Sequence, residues 1–593
     1  MSEQEKDNNT KRFIESDAGD GTKREDQYLH GAHLFACFGA IFLCMFITAL
    51  DQTIVATVLT TVGNKFNAFG EISWLVSGFM LTLGAFMQMF GKISIIFGRK
   101  YSMLVAIVIF ELGSLISGVA PNMNTLIGGR VVAGVGASGI QGLSFVIISE
   151  VVPIERRPMG MAILSCVFAF ASVLGPLVGG SFTSKVSWRW CFYINLPIGA
   201  VAFAFLVWAF NPPRPKVNMK EELKRFDYFG SFLLVAGWII LLLALTFGAD
   251  NYSWNSAAVI VTFILGGGIL VIFVIWNWFF SKNQLFANEI IKIPQIMAAV
   301  LAITGVFSFS MTSMVYISIY YQVILGYTAL HTGIWLLPLS VSVVICSVTA
   351  GMSVQKFRYI KPFNIISGLL APLGAGLLLL YNLDRHTGKQ IGISIVIGAA
   401  TGFQIQPSIL AAQVKAPKTP GSTIMVTTFV AFCRSIGSAV GTALGNVIYS
   451  VSLKNAFTSS FSNPKPGDAS IIQELAGMDI NRLVSDSSFI AALSPEAQLF
   501  VKQQIMHAIK NVFYFCIGLS VIGTVSSFFV TNQKLPKVSG RVENKDEEEG
   551  KEKNDTVEGH SEDDEIIDLE DKKKVESKEN TVIGSDSVES NQE

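Results

Sequence analysis

Long apolar runs recur almost without interruption through this chain of 593 residues. A helix needs about 20 apolar residues to span the hydrocarbon core of a bilayer. Backbone N–H and C=O groups cannot be left unpaired in lipid, so such spans are helices rather than open sheet. The runs predict an all-α membrane protein with about fourteen transmembrane helices, near residues 33–59, 72–92, 100–120, 124–150, 159–183, 192–211, 228–248, 257–280, 297–321, 331–353, 362–383, 391–413, 422–450 and 509–532.

The charge of the chain agrees with a surface that mostly faces lipid. Charged residues make up 15% of the sequence, against about 25% in soluble domains. Much of this charge lies in two polar tails, residues 1–32 and 533–593, which we predict to be disordered. Residues 451–505 are polar and are predicted to form the one long external loop. A lipid bilayer is therefore the first partner that we expect.

Several classes of function are excluded by the sequence. The formal net charge is zero, so no basic surface indicates a nucleic acid. The seven cysteines are scattered singly without metal-ligand spacing, and no GxxxxGK(S/T) loop is present to bind ATP. No Ser/His/Asp arrangement indicates an enzyme. We therefore expect no metal and no cofactor. A proton gradient would then drive the transport of a small-molecule substrate, and we expect the transporter to be a monomer.

The basic residues between the helices predict the orientation of the chain. An even number of helices places both termini on the same side of the membrane. Loops rich in Lys and Arg stay in the cytoplasm, so we predict that both termini are cytoplasmic. The basic residues of the loops on that side are Lys92, Arg99, Lys100, Arg156, Arg157, Arg214, Lys216, Lys220, Lys224, Arg225, Lys356, Arg358 and Lys361.

Four charged residues lie away from the ends of the predicted helices, where charge is costly and usually functional: Asp51, Glu111, Arg130 and Arg434. Asp51 lies about eight residues from the external end of its helix and Arg130 about six, so at about 1.5 Å per residue their depths agree within one turn. We predict that they form an ion pair, with Glu111, about one turn deeper, as the competing partner of Arg130. These three are the predicted proton-coupling residues, and the alternative is a static pair that only orders the helices.

Small residues indicate close helix packing in two predicted helices. The fourth helix carries a polar and small stripe along one face, which suits a narrow aqueous path, at Arg130, Gly134, Ala137 and Gln141. The fifth carries a segment that permits close helix approach and a bend in the axis, at Gly175, Pro176, Gly179 and Gly180. Packing alone is the alternative explanation for these glycines.

A set of motifs recurs along the predicted helices, namely Leu50–Val55, Leu126–Gly136, Ala171–Gly180, Trp188–Gly199, Tyr321–Gln322 and Gly326–Gly333. Together they resemble the fourteen-span drug:proton antiporters of the major facilitator superfamily. The resemblance implies two six-helix bundles, residues 33–211 and 297–532, joined by residues 212–296 with two extra helices. It also implies a midplane substrate cavity that opens alternately to each side, and a part in proton transfer for Arg130.

The segment after the second helix departs from the family pattern at Ile95 and at Ile96, where the family usually has a basic residue. Gly91, Gly98 and Arg99 match the gating motif of the family, but Ile95 stands where the family has an aspartate. The missing carboxylate removes part of the inter-helix charge lock that the resemblance implies. We therefore expect gating to differ in this chain.

Predicted substrate-binding residues combine polar, aromatic and cationic side chains: Gln141, Tyr320, Gln322, Trp335, Gln404 and Arg434. Aromatic faces attract cationic or flat apolar ligands, although Tyr and Trp also favour membrane interfaces. Arg434 would bind an acidic group of the substrate or else serve a structural role.

The leading prediction is proton-coupled export of amphipathic drugs or toxic small molecules from the cytoplasm, which favours the plasma membrane over the vacuolar membrane. Antiport of basic amino acids into a vacuole and siderophore symport stay open. The run from Trp188 to Gly199 resembles both the drug and the vacuolar branches and does not separate them. A non-transporting membrane receptor is the alternative of a different class, and it would call for a large structured signalling tail.

Overall fold

The computed structural model describes residues 20–22, 27–66, 68, 71–154, 156–213, 215–216, 218–248, 254–462, 471, 474 and 493–535. Within these residues the chain forms fourteen helices of 15 residues or more: α1 Gly31–Ile54, α2 Ser73–Phe97, α3 Arg99–Val119, α4 Met123–Val151, α5 Arg157–Lys185, α6 Asn195–Ala209, α7 Tyr228–Thr246, α8 Ala257–Ile275, α9 Pro294–Ile319, α10 Ala329–Phe357, α11 Lys361–Leu378, α12 Thr387–Val414, α13 Ser422–Ser462 and α14 Pro495–Phe528. Short helical segments accompany them at Val55–Thr57, Leu59–Phe66, Trp190–Tyr193, Met219–Arg225, Trp276–Phe280, Asn288–Ile291 and Tyr320–Ile324.

The predicted all-α membrane architecture is confirmed. By length and composition, 13 of the described helices could cross a membrane. The fourteenth, α5, is 29 residues long and includes an interior proline, Pro176, that does not end it.

Of the last two helices, α13 ends later and α14 begins earlier than predicted. α13 continues to Ser462 and α14 begins at Pro495, so both extend into residues 451–505, predicted as a loop. Apolar packing explains the extension, because Phe457 of α13 and Phe500 of α14 are buried with their ring centroids 6.3 Å apart. Glu474, which lies between the two helices, is also hydrogen-bonded to the residue before α14.

Glu474 fixes the start of α14 through its hydrogen bonds to Ser494. Its carboxylate accepts the Ser494 N–H at 2.9 Å and the Ser494 hydroxyl at 2.7 Å. These bonds favour the charged form, so they lower the pKa of Glu474. The Ser494 hydroxyl oxygen in turn accepts the N–H of Ala497 in the first turn of α14.

The helices form two groups of six. α1–α6, the first bundle, pack among themselves, and α9–α14, the second bundle, do the same. α7 and α8 pack on each other, and α7 also lies against α2 and α13. The most extensive contacts between the two bundles are α5 with α10 and α2 with α13.

Both ends of the described chain lie on the same side of the helices, where the even-numbered helices end. We call this side the terminal side. The Leu29 N–H donates to the carbonyl of Val151 at the end of α4, at 3.1 Å. The Leu535 N–H donates to the carbonyl of Arg358, just after α10, at 2.8 Å. The opposite side is called the far side below.

The bundles share an apolar core on the terminal side and have separate cores on the far side. One buried cluster takes residues from both bundles, including Ile148, Val151, Ile409, Leu410 and Val426. On the far side, one cluster lies in the first bundle around Val62, Leu126 and Trp188. Another lies in the second bundle around Tyr316, Ile397 and Phe513. The terminal side is therefore sealed by one apolar core that both bundles share, whereas the larger far-side cores each lie within one bundle.

α13 has the same asymmetry along its length. Every residue from 422 to 432 is buried, whereas most of those from 437 to 448 are half-buried. A helix segment packed on neighbours from both bundles is excluded from solvent. The far-side part of α13 is therefore less enclosed by neighbouring helices than its terminal-side part.

The tail before α1 is not wholly disordered, so this part of the prediction for residues 1–32 is wrong. Asp20, Thr22 and Gln27 are buried against the terminal side of the first bundle. At the other end, Leu535 is also buried. Most of the tail predicted for 533–593 lies outside the described residues.

Candidate functional site

A buried ion pair joins α1 to α4. The Arg130 guanidinium donates through NH1 to Asp51 Oδ2, and the two side chains are 2% and 0% exposed. Removing one member of such a pair leaves the other charge buried and unpaired, at a cost of about 3–5 kcal/mol. The contact predicted from helix depth is confirmed. Its part in proton coupling stays a prediction.

Neutral groups hold both partners of the pair in place. Asn195, the first residue of α6, donates from Nδ2 to Asp51 Oδ1 and to Ser114 Oγ, each at 3.1 Å. Arg130 donates from Nε to the carbonyl of Leu75 on α2 at 3.0 Å. Five helices of the first bundle therefore meet at this pair, and movement of any one of them changes its geometry.

Three residues of this site were not predicted from the sequence: Asn195, Ser114 and Phe79. The Phe79 ring centroid lies 4.3 Å from the Arg130 guanidinium carbon, close enough for a cation–π contact. Asn195 had a usable signal, because it is a polar residue at the beginning of an apolar run. Ser114 and Phe79 had none, since such residues are common throughout the spans.

Glu111 on α3 is not bonded to Arg130. Its two carboxylate oxygens are buried and have no hydrogen-bond partner among the described residues. Asp51 is an electrostatic neighbour of this carboxyl group. A Cβ atom added at Gly199 would lie only 1.7 Å from Glu111 Oε1, so α6 leaves space for the carboxyl group by having glycine there. Arg130 therefore pairs with Asp51 and not with Glu111.

Two glycines allow α5 to approach α1 closely. A Cβ added at Gly175 would lie 2.0 Å from Thr53 Oγ1, and one at Gly179 would lie 2.3 Å from Thr57 Oγ1. Both distances are shorter than van der Waals contact, so an added side chain would displace the atoms that it meets. Gly180 differs, because an added Cβ would meet no described atom within 4 Å. The close packing predicted for Gly180 is therefore wrong.

Small residues also lie where the two bundles touch. A Cβ added at Gly91 of α2 would lie 2.7 Å from Thr428 Cγ2 of α13, on the sealed terminal side. Pro176 of α5 faces Gly333 of α10, where an added Cβ would lie 3.3 Å from Pro176 Cβ. Gly91 and Pro176 are thus both at contacts that must change if the bundles move.

The turn between α2 and α3 holds the other predicted gating residues. Gly98 has a φ of +86°, a conformation that favours glycine. Arg99 is buried and donates to both carboxylate oxygens of Glu150 at 3.0–3.1 Å. It also donates to Asp20 Oδ2 at 2.6 Å. Neither Glu150 nor Asp20 was predicted from the sequence as a partner of Arg99.

Arg434 lies on α13 next to the boundary between its fully buried and half-buried parts. Its guanidinium carbon is 5.2 Å from the ring centroid of Phe145 on α4 and 4.8 Å from that of Phe307 on α9. The residue is 8% exposed. It has no salt bridge within the described part of the chain, and its Nε has no hydrogen-bond partner there. Gln141, one turn from Phe145, likewise has an unpaired buried Nε2.

Two predicted substrate residues are instead part of the interior of the second bundle. Tyr320 is fully buried, and its hydroxyl donates to the Asn382 carbonyl at 2.8 Å and accepts from Gln390 Nε2 at 3.3 Å. Gln404 donates from Nε2 to Asn364 Oδ1 at 3.1 Å, which ties α12 to α11. These hydrogen bonds lie within their own bundle, while Gln404 Oε1 is buried without a partner among the described residues. The substrate role of both residues stays a prediction.

The remaining two predicted substrate residues lie near the far-side end of the second bundle. Gln322 is exposed in the short helical segment Tyr320–Ile324 that follows α9, so it is not enclosed at mid-depth as predicted. Trp335 is half-buried and stacks on Tyr327, with 5.8 Å between ring centroids. The guanidinium carbon of Arg385 lies 5.3 Å from the Tyr327 ring. Trp335 thus belongs to an aromatic cluster at this end of the bundle.

The family follows from a match to the model of the Major Facilitator Superfamily over residues 41–442. The chain belongs to the major facilitator superfamily. It is therefore a membrane transporter of a small molecule, and not an enzyme.

The relatives of this facilitator include fungal transporters with different names. It is 33% identical to the vacuolar basic amino acid transporter 5 of Saccharomyces cerevisiae, over 88% of this chain and 94% of the relative. It is 32% identical to azole resistance protein 1 of the same organism, over 87% and 91%. A rubrofusarin-specific efflux pump of Gibberella zeae is 33% identical over 73% of this chain and 80% of the pump.

Solved facilitator structures share the fold at low sequence identity. The proton:xylose symporter XylE has a TM-score of 0.52 and 13% identity, covering 84% of this chain and 95% of the symporter. The human organic anion transporter MFSD10 has a TM-score of 0.51 and 13% identity, covering 83% of this chain and all of the transporter. These similarities support the fold alone.

Proposed function

We propose that this facilitator is a proton-coupled transporter that exports amphipathic drugs or toxic small molecules from the cytoplasm. The observation that carries the proposal is the Asp51–Arg130 pair. Arginine keeps its charge at any physiological pH, so a proton that enters the pair binds Asp51. Protonation removes the charge that Arg130 faces and weakens the tie between α1 and α4.

The coupling cycle follows from this switch. The unprotonated pair, bridged also by Asn195, stabilises the state in which the terminal side is sealed. Protonation of Asp51 from the far side weakens that arrangement and favours opening to the terminal side. The proton then leaves toward the terminal side, and the pair forms again. Glu111, whose oxygens have no partner among the described residues, is a second place for a proton near this path.

The direction of transport depends on which side is the cytoplasm. The terminal side has the excess of Lys and Arg between helices, which favours the cytoplasm. The state with a sealed terminal side is then outward-facing. An inward proton gradient would then drive the export of substrate in exchange for protons. This direction of transport agrees with the names of relatives that are called efflux pumps.

The proposed substrate site lies around Arg434. Its aromatic neighbours Phe145 and Phe307 belong to opposite bundles, and Gln141 offers a free amide nearby. Such a site suits a molecule that has an apolar body and one polar or acidic group. Contact with both bundles would couple substrate binding to their relative movement.

The second candidate is accumulation of basic amino acids in the vacuole. A relative of that name aligns with 88% of this chain. Arg434, which has no acidic partner among the described residues, would bind the α-carboxylate of such a substrate. The location of a tagged copy separates the two candidates, because the cell surface supports export and the vacuolar membrane supports amino-acid storage.

The test of coupling uses purified protein in liposomes with and without a pH gradient, with labelled lysine and an amphipathic dye as substrates. We expect Asp51→Asn to abolish gradient-driven accumulation while exchange at equal pH continues. Because the Asn variant leaves Arg130 unpaired, the double variant Asp51→Asn/Arg130→Gln is tested in parallel, since it removes both charges. Undiminished accumulation by Asp51→Asn would exclude Asp51 as the coupling residue.

A further inference from the structure

The segment before α1 adds a second carboxylate to Arg99 on the terminal side. Asp20 Oδ2 accepts from Arg99 NH1 at 2.6 Å, while Glu150 binds the Nε and NH2 groups of the same guanidinium. The side chains of these three residues are at most 3% exposed. A loosely attached tail does not bury a charged side chain in this way, because desolvation is offset only by well-formed polar contacts.

The chain around Asp20 is shaped to hold this carboxylate. Oδ1 accepts both the N–H of Thr22, at 3.0 Å, and its hydroxyl, at 2.5 Å. Gln27 donates to the Thr22 hydroxyl oxygen at 2.8 Å. The Lys216 N–H donates to the Asp20 carbonyl at 2.8 Å. Gly21 has a φ of +78° and lies against Lys216, which turns the chain at this point.

The position of Arg99 connects this contact to the seal between the bundles. Arg99 is the first residue of α3 and also donates to the carbonyl of Ser94 near the end of α2, at 3.3 Å. Ile95 follows Ser94 and packs against the apolar core of the terminal side. Earlier on α2, Gly91 lies against Thr428 of the second bundle. The end of α2 therefore links Arg99 to the sealed contact with α13.

We infer that Asp20 is a positioning residue of the terminal-side gate and supplies, from the tail, the carboxylate that position 95 does not provide. Asp20 and Glu150 together fix the ends of α2, α3 and α4 relative to one another. The positive end of the α3 dipole favours the additional negative charge. The contact holds α2 against α13 and so stabilises the state with a sealed terminal side.

The test measures the opening of the gate without substrate or proton gradient. A single reporter, Ala412→Cys, is introduced in the buried terminal half of α12. Its labelling by a bulky maleimide in nanodiscs is compared with the labelling of the parent chain, which has seven cysteines of its own. We expect Asp20→Asn to raise the labelling rate of the reporter about tenfold, the effect of losing one hydrogen bond to a charged group.

Two further variants separate a gating role from general damage to the fold. Ile95→Asp, added to Asp20→Asn, is expected to return labelling toward the rate of the parent. Glu221→Gln removes an exposed carboxylate from the terminal side and should leave labelling unchanged. The inference is overturned if the Asp20→Asn protein unfolds at the parent's temperature and is labelled no faster, or if Ile95→Asp brings no recovery. The result is independent of the proposed function, since neither substrate nor proton enters the measurement.

Discussion

Buried polar side chains of this transporter differ in whether the protein itself satisfies them. Asp51 and Arg130 neutralise each other, and Asn195 and the Leu75 carbonyl complete their hydrogen bonds. Arg434 has aromatic rings on two sides and no acidic partner within the described residues. Satisfied groups define a conformation, whereas a buried cation without a partner favours the entry of an anionic or strongly polar group.

This difference gives a prediction for Arg434. We expect Arg434→Gln to reduce transport of a substrate with a carboxylate by about tenfold or more, because a hydrogen bond to a charged group contributes about 1.5–3 kcal/mol. Arg434→Lys should retain part of the activity, since it keeps the charge but not the planar guanidinium. Transport in liposomes of two dyes that differ only in a carboxylate is the measurement. Equal loss for both dyes would indicate a structural role.

Among the helix contacts, the packing of α5 on α1 depends on Gly175 and Gly179. Gly175 has the closer neighbours of the two. An added Cβ there would lie 2.0 Å from Thr53 Oγ1 and 3.1 Å from the backbone nitrogen of Ile54. We expect Gly175→Val to destabilise the protein by about 1–3 kcal/mol, the usual cost of overpacking. Gly180→Val is the matched control on the same helix, since an added Cβ there meets no described atom within 4 Å. Thermal unfolding in detergent compares the two, and equal loss in both would contradict the prediction.

The regular geometry of membrane helices explains which features could be predicted from the sequence. Length and hydropathy identified the helices, because the bilayer fixes both. Residue depth along α1 and α4 identified the Asp51–Arg130 pair, because rise per residue is constant in a helix. The direction in which a side chain points was not predictable for helices that are apolar all round. Gln404 and Arg434 are both polar residues in apolar helices, yet one is bonded within its bundle and the other lies between bundles.

Contacts between residues distant in sequence account for the two features of the fold that were predicted wrongly, the start of α14 and the order of the N-terminal tail. The extension of α14 depends on Phe457 of α13, and the order of the tail depends on Arg99, 79 residues from Asp20. Neither partner can be identified from local composition, because the tail around Asp20 is polar and carries charges of both signs. The departure at Ile95 indicated only that gating would differ. The structure supplies the compensating carboxylate.

For the whole molecule, alternating access requires the shared terminal-side core to separate, since it contains residues of both bundles. A covalent link across the α2–α13 contact should prevent this separation. An added Cβ at Gly91 would lie 3.0 Å from Thr428 Cβ, and a disulfide requires about 3.5–4.5 Å between Cβ atoms. A small outward movement of α2 is therefore enough for the double variant Gly91→Cys/Thr428→Cys to form a disulfide.

We expect oxidation of this double variant to stop transport and reduction to restore it, because a disulfide there holds the terminal side closed whatever the protonation state of Asp51. A substrate analogue added from the far side should still bind to the oxidised protein, since the link lies on the terminal side and leaves the less enclosed far-side part of α13 unchanged. Each single variant, treated with the same oxidant, controls for the native cysteines and for crowding at position 91. Continued transport by the fully oxidised double variant would mean that the seal between α2 and α13 does not have to open, and the substrate would then need another route to the terminal side.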